Sequence, residues 1–196
     1  MPNWCDTTYY AVGDKRELKE LYDLMTELMN MDKPRVPNGF DTNWLGCLVD
    51  ALGKDWQSVR CRGTFYDVEL GEEDLRFVTE TAWSPCDEVI VLLRQKFRSL
   101  GFYYYAEEQG CGIYVTNDTT GQYFPDRYLV SLNSDQAGYC EEYFETLEAA
   151  YAWISEELEK PITNAEELKA YDEWLTEQSD DYYCYIHEIQ VDGNGS

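Results

Sequence analysis

Basic residues, histidine and long apolar runs are scarce in this chain, and each shortage excludes a class of protein. Its 196 residues include 15 lysines and arginines against 39 acidic residues, a formal net charge of −24 at pH 7. Such a charge repels phosphate backbones and anionic lipid, so we expect no direct binding of nucleic acid and favour a basic protein as partner. No segment approaches the roughly 18 apolar residues of a membrane span, so no membrane association is expected.

Metal-ligand and targeting patterns are also missing. The seven cysteines are dispersed without a Cys-x-x-Cys pair, and His187 is the only histidine. Zinc sites need ligands at characteristic spacings, and an odd number of cysteines cannot form a fully paired disulfide framework. We therefore expect reduced thiols that pack as small hydrophobic groups, no metal, no cofactor and no assigned catalytic residue. The N-terminus lacks the basic and then apolar pattern of a secretory signal, which predicts a cytoplasmic protein.

Apolar and aromatic residues are abundant, whereas charge is unevenly placed. Hydrophobic residues make up 44% of the chain and aromatic residues 15%, which excludes wholesale disorder. Residues 135–196 hold 17 acidic and 2 basic groups, and residues 1–134 hold 22 and 13. This shift predicts a core over residues 1–134 and an acidic helical extension over residues 135–196 that packs on the core.

The order of predicted elements in the first 134 residues is that of a ferredoxin-like domain. Asp14 with Glu17 forms a capping box for a first helix, and Ser84 followed by a proline caps another. A loop with a short helix is inserted near residues 32–56. Composition and alternation predict strands over residues 7–12, 57–70, 75–82, 102–107, 110–116 and 123–132. We expect a split βαβ, α+β fold with helices on one face of an antiparallel sheet.

The acidic extension predicts two helices and a final strand. Thr146 is the expected cap of a helix that ends near Glu159. Thr163 with Glu166 forms the expected capping box of the next helix. Tyrosines and β-branched residues over 182–191 predict the strand.

Four segments of the chain resemble one family in the same order. They are residues 1–5, 62–67, 77–85 and 105–112. The family is the YubB-like proteins of bacterial plasmids, phages and other mobile elements. Residues 62–67 are similar to its Trp-Gly-Thr-Lys-Trp-Asp segment, and residues 105–112 to its Tyr-x-Glu-x-Gly turn. The resemblance covers about residues 1–120, omits the acidic extension, and implies a ferredoxin-like fold and a mobile-element setting.

The first candidate site is a cleft lined by aromatic residues and carboxylates. Its expected members lie near strand ends and are Trp4, Tyr66, Asp67, Glu80, Trp83, Tyr105 and Glu107. Aromatic residues can stack across strands, and carboxylates at the rim can act as acid and base or hold a hard cation. An enzyme that uses this cleft, with hydrolytic or metal-assisted chemistry, is the alternative function. A structural sheet end with solvated acids is the alternative to a site.

The second candidate site is an acidic surface on the extension. Its expected members are Glu141, Glu142, Glu145, Glu148, Glu156, Glu157, Glu159, Glu166, Glu167, Asp172, Glu173 and Glu177. A row of carboxylates can imitate a phosphate backbone and occupy a nucleic-acid-binding groove. The alternative is a solvated face that keeps the protein soluble. The predicted function is a non-enzymatic protein-interaction module of a mobile element, with the nucleic-acid mimic as its most specific form.

Overall fold

The computed structural model describes residues 3–193, so the first two residues of the YubB-like opening segment lie outside it. The first part of the chain forms β1 (Trp4–Val12), α1 (Lys15–Met29), α2 (Leu45–Ala51), β2 (Gly63–Leu70), β3 (Asp74–Ala82), α3 (Asp87–Lys96), β4 (Gly101–Glu108) and β5 (Ile113–Thr116). The remainder forms β6 (Tyr128–Ser134), β7 (Gly138–Phe144), α4 (Leu147–Glu157), α5 (Ala165–Gln178), β8 (Tyr183–Glu188) and β9 (Gln190–Val191).

These elements form two compact units. The first unit contains the described residues up to Thr119 together with those from Val191 onward, and the second unit is Thr120–Gln190. We expected the first unit to end at residue 134, because the excess of acidic residues begins there. The chain changes unit earlier because β6 pairs with β7 and β8. Packing of the acidic extension on the core stays a prediction.

The sheet of the first unit has the strand order of a ferredoxin-like fold. Its order is β2-β3-β1-β4-β5-β9, and the pairs from β2 to β5 are antiparallel. β3 lies between β1 and β2, while β1 lies between β3 and β4. The segments β1-α1-β2 and β3-α3-β4 are therefore two interleaved split βαβ units. The predicted α+β, ferredoxin-like class is confirmed.

The helices of the first unit cover one face of this sheet. β1 shows why, since Cys5, Thr7, Tyr9 and Ala11 are buried and the residues between them are exposed or half-buried. Side chains alternate across a strand, so the buried set faces one side. That side packs against the helices through a core that includes Leu18, Leu21, Met25, Leu28, Leu45, Leu48, Phe65, Phe77, Val89, Leu93 and Phe102. We call the side of β2, β3, β1 and β4 opposite the helices the open face.

The second unit repeats the arrangement on a smaller scale. Its antiparallel sheet has the order β7-β6-β8, with β6 in the centre. One face packs on α4 and α5 through a core that includes Val130, Leu132, Ile154, Leu158, Leu168, Leu175 and Cys184. The two predicted helices are present, whereas β7 was not predicted.

In the first unit the expected Asp14 cap of α1 is confirmed, whereas the roles expected of Glu17 and Ser84 are wrong. The Glu17 carboxylate does not close a capping box, because its Oε2 accepts from the Ser99 amide at 3.0 Å and the Ser99 hydroxyl at 2.8 Å. Ser84 does not cap α3, which begins later with Cys86 at its N-cap and no side-chain cap. The Ser84 hydroxyl instead accepts a hydrogen bond from Arg60.

In the second unit, one cap is confirmed and the other is shifted by one residue. The Thr146 hydroxyl accepts an amide of the first turn of α4, as predicted. The cap of α5 is Asn164. Glu167, rather than Glu166, reaches back to accept the Thr163 amide at 2.8 Å. The capping-box geometry is therefore present one position later than expected.

Candidate functional site

Three carboxylates lie side by side across the open face. Asp6 on β1 is in register with Glu80 on β3 and with Glu107 on β4. Directly opposed residues of antiparallel strands have Cβ atoms about 4.5–5.5 Å apart, and like charges at such positions are destabilising. We call Glu80, Asp6 and Glu107 the carboxylate row. It concentrates negative charge at one end of the open face.

Two tyrosine hydroxyls donate hydrogen bonds to two carboxylates of the row. The Tyr66 hydroxyl donates to Asp6 Oδ1 at 2.9 Å, and the Tyr105 hydroxyl donates to Glu107 Oε2 at 3.0 Å. Gln109 Nε2 donates to the other oxygen of Glu107 at 3.3 Å. Burial, followed by the hydrogen bond to Asp6, raises the pKa of Tyr66 above its ordinary value. The Asp6 and Glu107 carboxylates are therefore oriented by hydrogen-bond donors.

A surface pocket of about 500 Å³ adjoins the row. It is lined by Asn3, Trp4, Asp6, Glu107, Glu108, Gln109 and Gly110. Glu108 is only 4% exposed, and its carboxylate accepts the Gly110 amide at 2.8 Å and the Cys111 amide at 2.6 Å. These bonds, led by one from the Cys111 side chain, lower the pKa of Glu108. Glu108 thus holds the turn after β4, while Asp6 and Glu107 line the pocket from the open face.

Trp4 lies at the end of the open face, beside aromatic residues other than the expected ones. It is 37% exposed, and its ring meets the Phe40 ring edge-on with 6.3 Å between centroids. Phe40 in turn stacks on Trp44 at 6.2 Å. This aromatic series continues into the core of the first unit.

Trp83 and Asp67 both occupy left-handed backbone conformations. Trp83 has φ +73° and is 49% exposed, and its amide donates to the Asn3 carbonyl at 2.9 Å. A bulky residue at positive φ is an outlier that its surroundings must enforce. Asp67 has φ +49° and lies at a bulge of β2, between Tyr66 and Glu69. The left-handed conformation of Asp67 thus belongs to the bulge in β2.

The structure therefore brings together four of the seven expected cleft residues, Tyr66, Glu80, Tyr105 and Glu107. Asp6, the centre of the row, was missed. The predicted strand began at residue 7, so the alternation that starts at Trp4 was not followed. Extending the alternation of β1 by three residues would have identified Asp6.

Six expected members of the acidic surface are exposed on or beside the two helices of the second unit. They are Glu148, Glu156, Glu159, Glu166, Glu173 and Glu177. Glu142 and Glu145 are also exposed, just before α4, and Glu157 is half-buried. Most of these carboxylates are therefore available to solvent.

Three other members are engaged inside the second unit. Asp172 Oδ1 accepts the Cys184 amide at 2.9 Å and ties α5 to β8. The Glu167 carboxylate accepts from Thr163, as described for the cap. Glu141 lies on the sheet face opposite the helices and accepts from the Ser131 hydroxyl at 3.1 Å. These side chains contribute to the fold rather than to one acidic face.

Within residues 3–193, no group of three or more His, Cys, Asp and Glu side chains is arranged to hold a metal ion. Among the described helices, none combines the length and the apolar character that crossing a bilayer demands. The described cysteines are all free thiols.

One comparison with known proteins gives a match. The model of the family described as "Ferredoxin-like domain in Api92-like protein" matches residues 65–122, the segment from β2 to just beyond β5. This segment contains two members of the carboxylate row, Glu80 and Glu107. No curated protein and no solved structure matches the chain. The match agrees with the strand order of the first unit, and both are ferredoxin-like.

Proposed function

We propose that this protein is a non-enzymatic interaction module whose open face binds a basic segment of another protein. The carboxylate row is the observation that supports this. Three like charges in register oppose folding, and two of them, Asp6 and Glu107, accept hydrogen bonds from tyrosine hydroxyls. A positively charged partner would relieve the repulsion on binding.

The chemistry of the row favours arginine-rich partners. Arginine can donate two parallel hydrogen bonds to one carboxylate, and such charge-assisted pairs are stronger than neutral ones. The flanking tyrosine rings offer additional cation–π contacts. The formal net charge of −24 adds long-range attraction, which accelerates encounter with a basic partner at low salt.

The proposed setting is the cytoplasm of a bacterium that carries a mobile element. Four segments resemble the YubB-like proteins in family order, and this resemblance supports the assignment. The family-model match over residues 65–122 supports the ferredoxin-like fold of that segment and does not bear on the setting.

A nucleic-acid mimic is the second candidate, favoured by the exposed glutamates of α4 and α5. On one helix face, Glu173 and Glu177 are four residues apart, about 6 Å along the axis. B-DNA carries one charge per roughly 3.4 Å of each strand. The charges on the helices are more widely spaced than those of a duplex. Mimicry of nucleic acid is therefore a weaker candidate than binding of a basic segment by the open face.

The enzyme alternative stays a prediction without a supporting observation. Glu80 and Glu107 are separated by β1, which places their backbones about 10 Å apart across two strand spacings. Asp6 lies between them.

Two triple variants with equal charge changes test the proposal. The open-face variant combines Asp6→Asn, Glu80→Gln and Glu107→Gln, and the helix variant combines Glu148→Gln, Glu156→Gln and Glu166→Gln. The probe is a short fluorescent peptide of alternating arginine and serine, followed by anisotropy at low and at physiological salt. We expect the open-face variant to lose at least about tenfold in affinity and the helix variant less than about threefold, which is under 1 kcal/mol.

The outcomes separate the candidates once circular dichroism shows that both variants are folded. Equal losses in the two variants would mean that net charge alone attracts the peptide, which contradicts the proposal. A loss confined to the helix variant would favour the acidic helices and the mimic.

A further inference from the structure

A second pocket, of about 190 Å³, lies on the helix side of the first sheet. It is lined by Tyr9, Asp87, Ile90, Val91, Arg94, Tyr104 and Asp192, all of the first unit. Because Tyr9 alternates with the open-face residues of β1, this pocket is separate from the carboxylate row. Nothing in the proposed function uses it.

The Tyr9 side chain reaches this pocket from the buried face of β1. Tyr9 is 2% exposed, and its ring stacks on Phe77 with 4.9 Å between centroids. Burial raises the pKa of Tyr9, and Asp87 is the charged group that raises it most. Tyr9 and Asp87 line the pocket together.

The charged groups of the pocket leave a formal excess of one negative charge. Asp87 and Asp192 supply carboxylates, and Arg94 supplies a guanidinium. The Nη2 atom of Arg94 also donates to the Phe102 carbonyl at 3.4 Å. The backbone places Asp192, since its amide donates to the Thr116 carbonyl at 2.8 Å. The complement of this lining is a single positive charge that brings N–H donors.

Apolar side chains and the pocket volume set the size of the ligand. Ile90 and Val91 of α3 supply aliphatic wall beside the polar groups. An apolar cavity of about 150 Å³ holds benzene. A pocket of about 190 Å³ thus accommodates roughly eight non-hydrogen atoms, enough for a cationic head on a short chain.

We propose that this pocket binds a small organic monocation, an ammonium or guanidinium head on a short aliphatic chain. The head donates to the Asp87 carboxylate and to the Tyr9 phenolic oxygen, and the chain packs on Ile90 and Val91. The same chemistry can come from a free metabolite-sized amine or from an arginine or lysine side chain of a bound protein. The site is independent of the carboxylate row.

The test is an NMR titration of the full chain with n-butylguanidinium, n-butanol and butyrate. We expect butylguanidinium to shift the amide signals of residues 87–94 and 104 with a Kd of about 1 mM or below. Neutral butanol and anionic butyrate should bind at least about tenfold more weakly. Equal binding of butyrate, or shifts confined to other residues, would overturn the proposal.

Matched variants locate the binding. Tyr9→Phe and Asp87→Asn should each weaken butylguanidinium binding by about tenfold. Tyr66→Phe removes the same oxygen from the open face and should have no effect. Should Tyr9→Phe lower stability, Asp87→Asn still decides, because a carboxamide keeps the size of the side chain. Unchanged affinity in Asp87→Asn refutes the assignment.

A competition experiment distinguishes the two sources of the cation. The competitor is the blocked peptide acetyl-Gly-Arg-Gly-amide. Displacement of butylguanidinium by the peptide supports the proposal with a protein side chain as the ligand. Binding of butylguanidinium without displacement supports it with a free small molecule as the ligand.

Discussion

The two sheets of this protein have the same layered arrangement and expose different chemistry on the face opposite their helices. In the first unit that face carries the carboxylate row, with tyrosine hydroxyls that donate to it. In the second unit it carries aromatic residues, Tyr139, Tyr143, Tyr183, Tyr185 and His187. Tyr183 and Tyr185 stack with 5.4 Å between ring centroids. Tyr10, Tyr66, Tyr103 and Tyr105 lie on the open face as well, so the carboxylate row is what distinguishes it from the second face, which we call the aromatic face.

The comparison shows that net charge is a poor guide to local potential. The second unit holds 17 acidic and 3 basic residues, against 22 and 12 in the first unit. Yet the aromatic face of the second sheet carries one carboxylate in register with β6, that of Glu141. Eight of the 17 acidic residues of the second unit lie on α4 and α5, whereas the first unit concentrates three carboxylates in register. Recognition depends on this local arrangement.

The largest expected effect tests whether the two units are energetically separate. Phe65 and Ile154 are fully buried in the cores of the first and second units. Each change to Ala should destabilise its own unit, by about 3–5 kcal/mol for Phe65 and about 2–5 kcal/mol for Ile154. Hydrogen exchange followed by mass spectrometry should show faster exchange in the mutated unit alone. Equal acceleration in both units would mean that they unfold as one, and the comparison would lose its basis.

A smaller expected effect distinguishes acidic side chains that stabilise the second unit from those that are only exposed on its surface. Asp172→Ala leaves the Cys184 amide without its acceptor, which we expect to cost about 1–3 kcal/mol. The neighbouring Glu173 forms an exposed ion pair with Lys169 at 3.7 Å. Glu173→Ala should therefore cost less than about 0.5 kcal/mol. Urea denaturation of both variants measures the difference, and similar losses would show that Asp172 is merely a surface charge.

The third prediction compares two glutamates whose carboxylates accept backbone hydrogen bonds, Glu108 in the first unit and Glu167 in the second. Hydrogen bonds from Cys111 and Gly110 lower the pKa of Glu108, and bonds from Thr163 lower that of Glu167. A lowered pKa in the folded state means that the ionised carboxylate stabilises the fold above the unfolded pKa. This contribution is lost as the pH falls through the folded pKa.

Glu108 is buried and Glu167 is exposed, so water competes only for the bonds of Glu167. Glu108→Gln should therefore lower the urea midpoint at pH 7 more than Glu167→Gln. It should also flatten the fall of stability below about pH 4.5, the ordinary pKa of the side chain. Urea titrations from pH 7 to acid measure both, and equal midpoints for the two variants contradict the prediction.

Periodicity in the sequence predicted the elements, but it could not predict which residues meet. The helices of the first unit followed from apolar spacing, and the split βαβ order followed from the succession of elements. β7 escaped because Gly138–Phe144 is largely exposed and mixes acids with tyrosines. It therefore lacks the apolar alternation that marks a strand.

The two sites depend on pairings between distant segments. Nothing local relates Asp6 to Glu80 or Glu107, because their proximity comes from the register of three strands. The second pocket joins Tyr9 to Asp192, which are near opposite ends of the chain. Sequence reasoning found two members of the row, Glu80 and Glu107, from their positions near predicted strand ends, and it found none of the pocket.

The smallest expected effect tests the repulsion in the carboxylate row directly. Asp6→Asn removes the central charge and keeps an oxygen that can accept from Tyr66. It should raise the free energy of unfolding by about 0.2–1 kcal/mol at low salt, because opposed like charges are destabilising. Glu141→Gln is the control from the aromatic face, where the residue opposite is Ser131. It should give no gain.

Salt provides the second readout of this comparison. Screening at about 1 M salt reduces the Debye length to about 3 Å, which is shorter than the spacing of opposed side chains. The stabilising effect of Asp6→Asn should therefore fall towards zero in urea titrations at high salt, while Glu141→Gln stays unchanged. A loss of stability in Asp6→Asn at low salt would show that its bond with Tyr66 outweighs the repulsion. The row would then be part of the framework, and its role as a binding surface would lose its main physical argument.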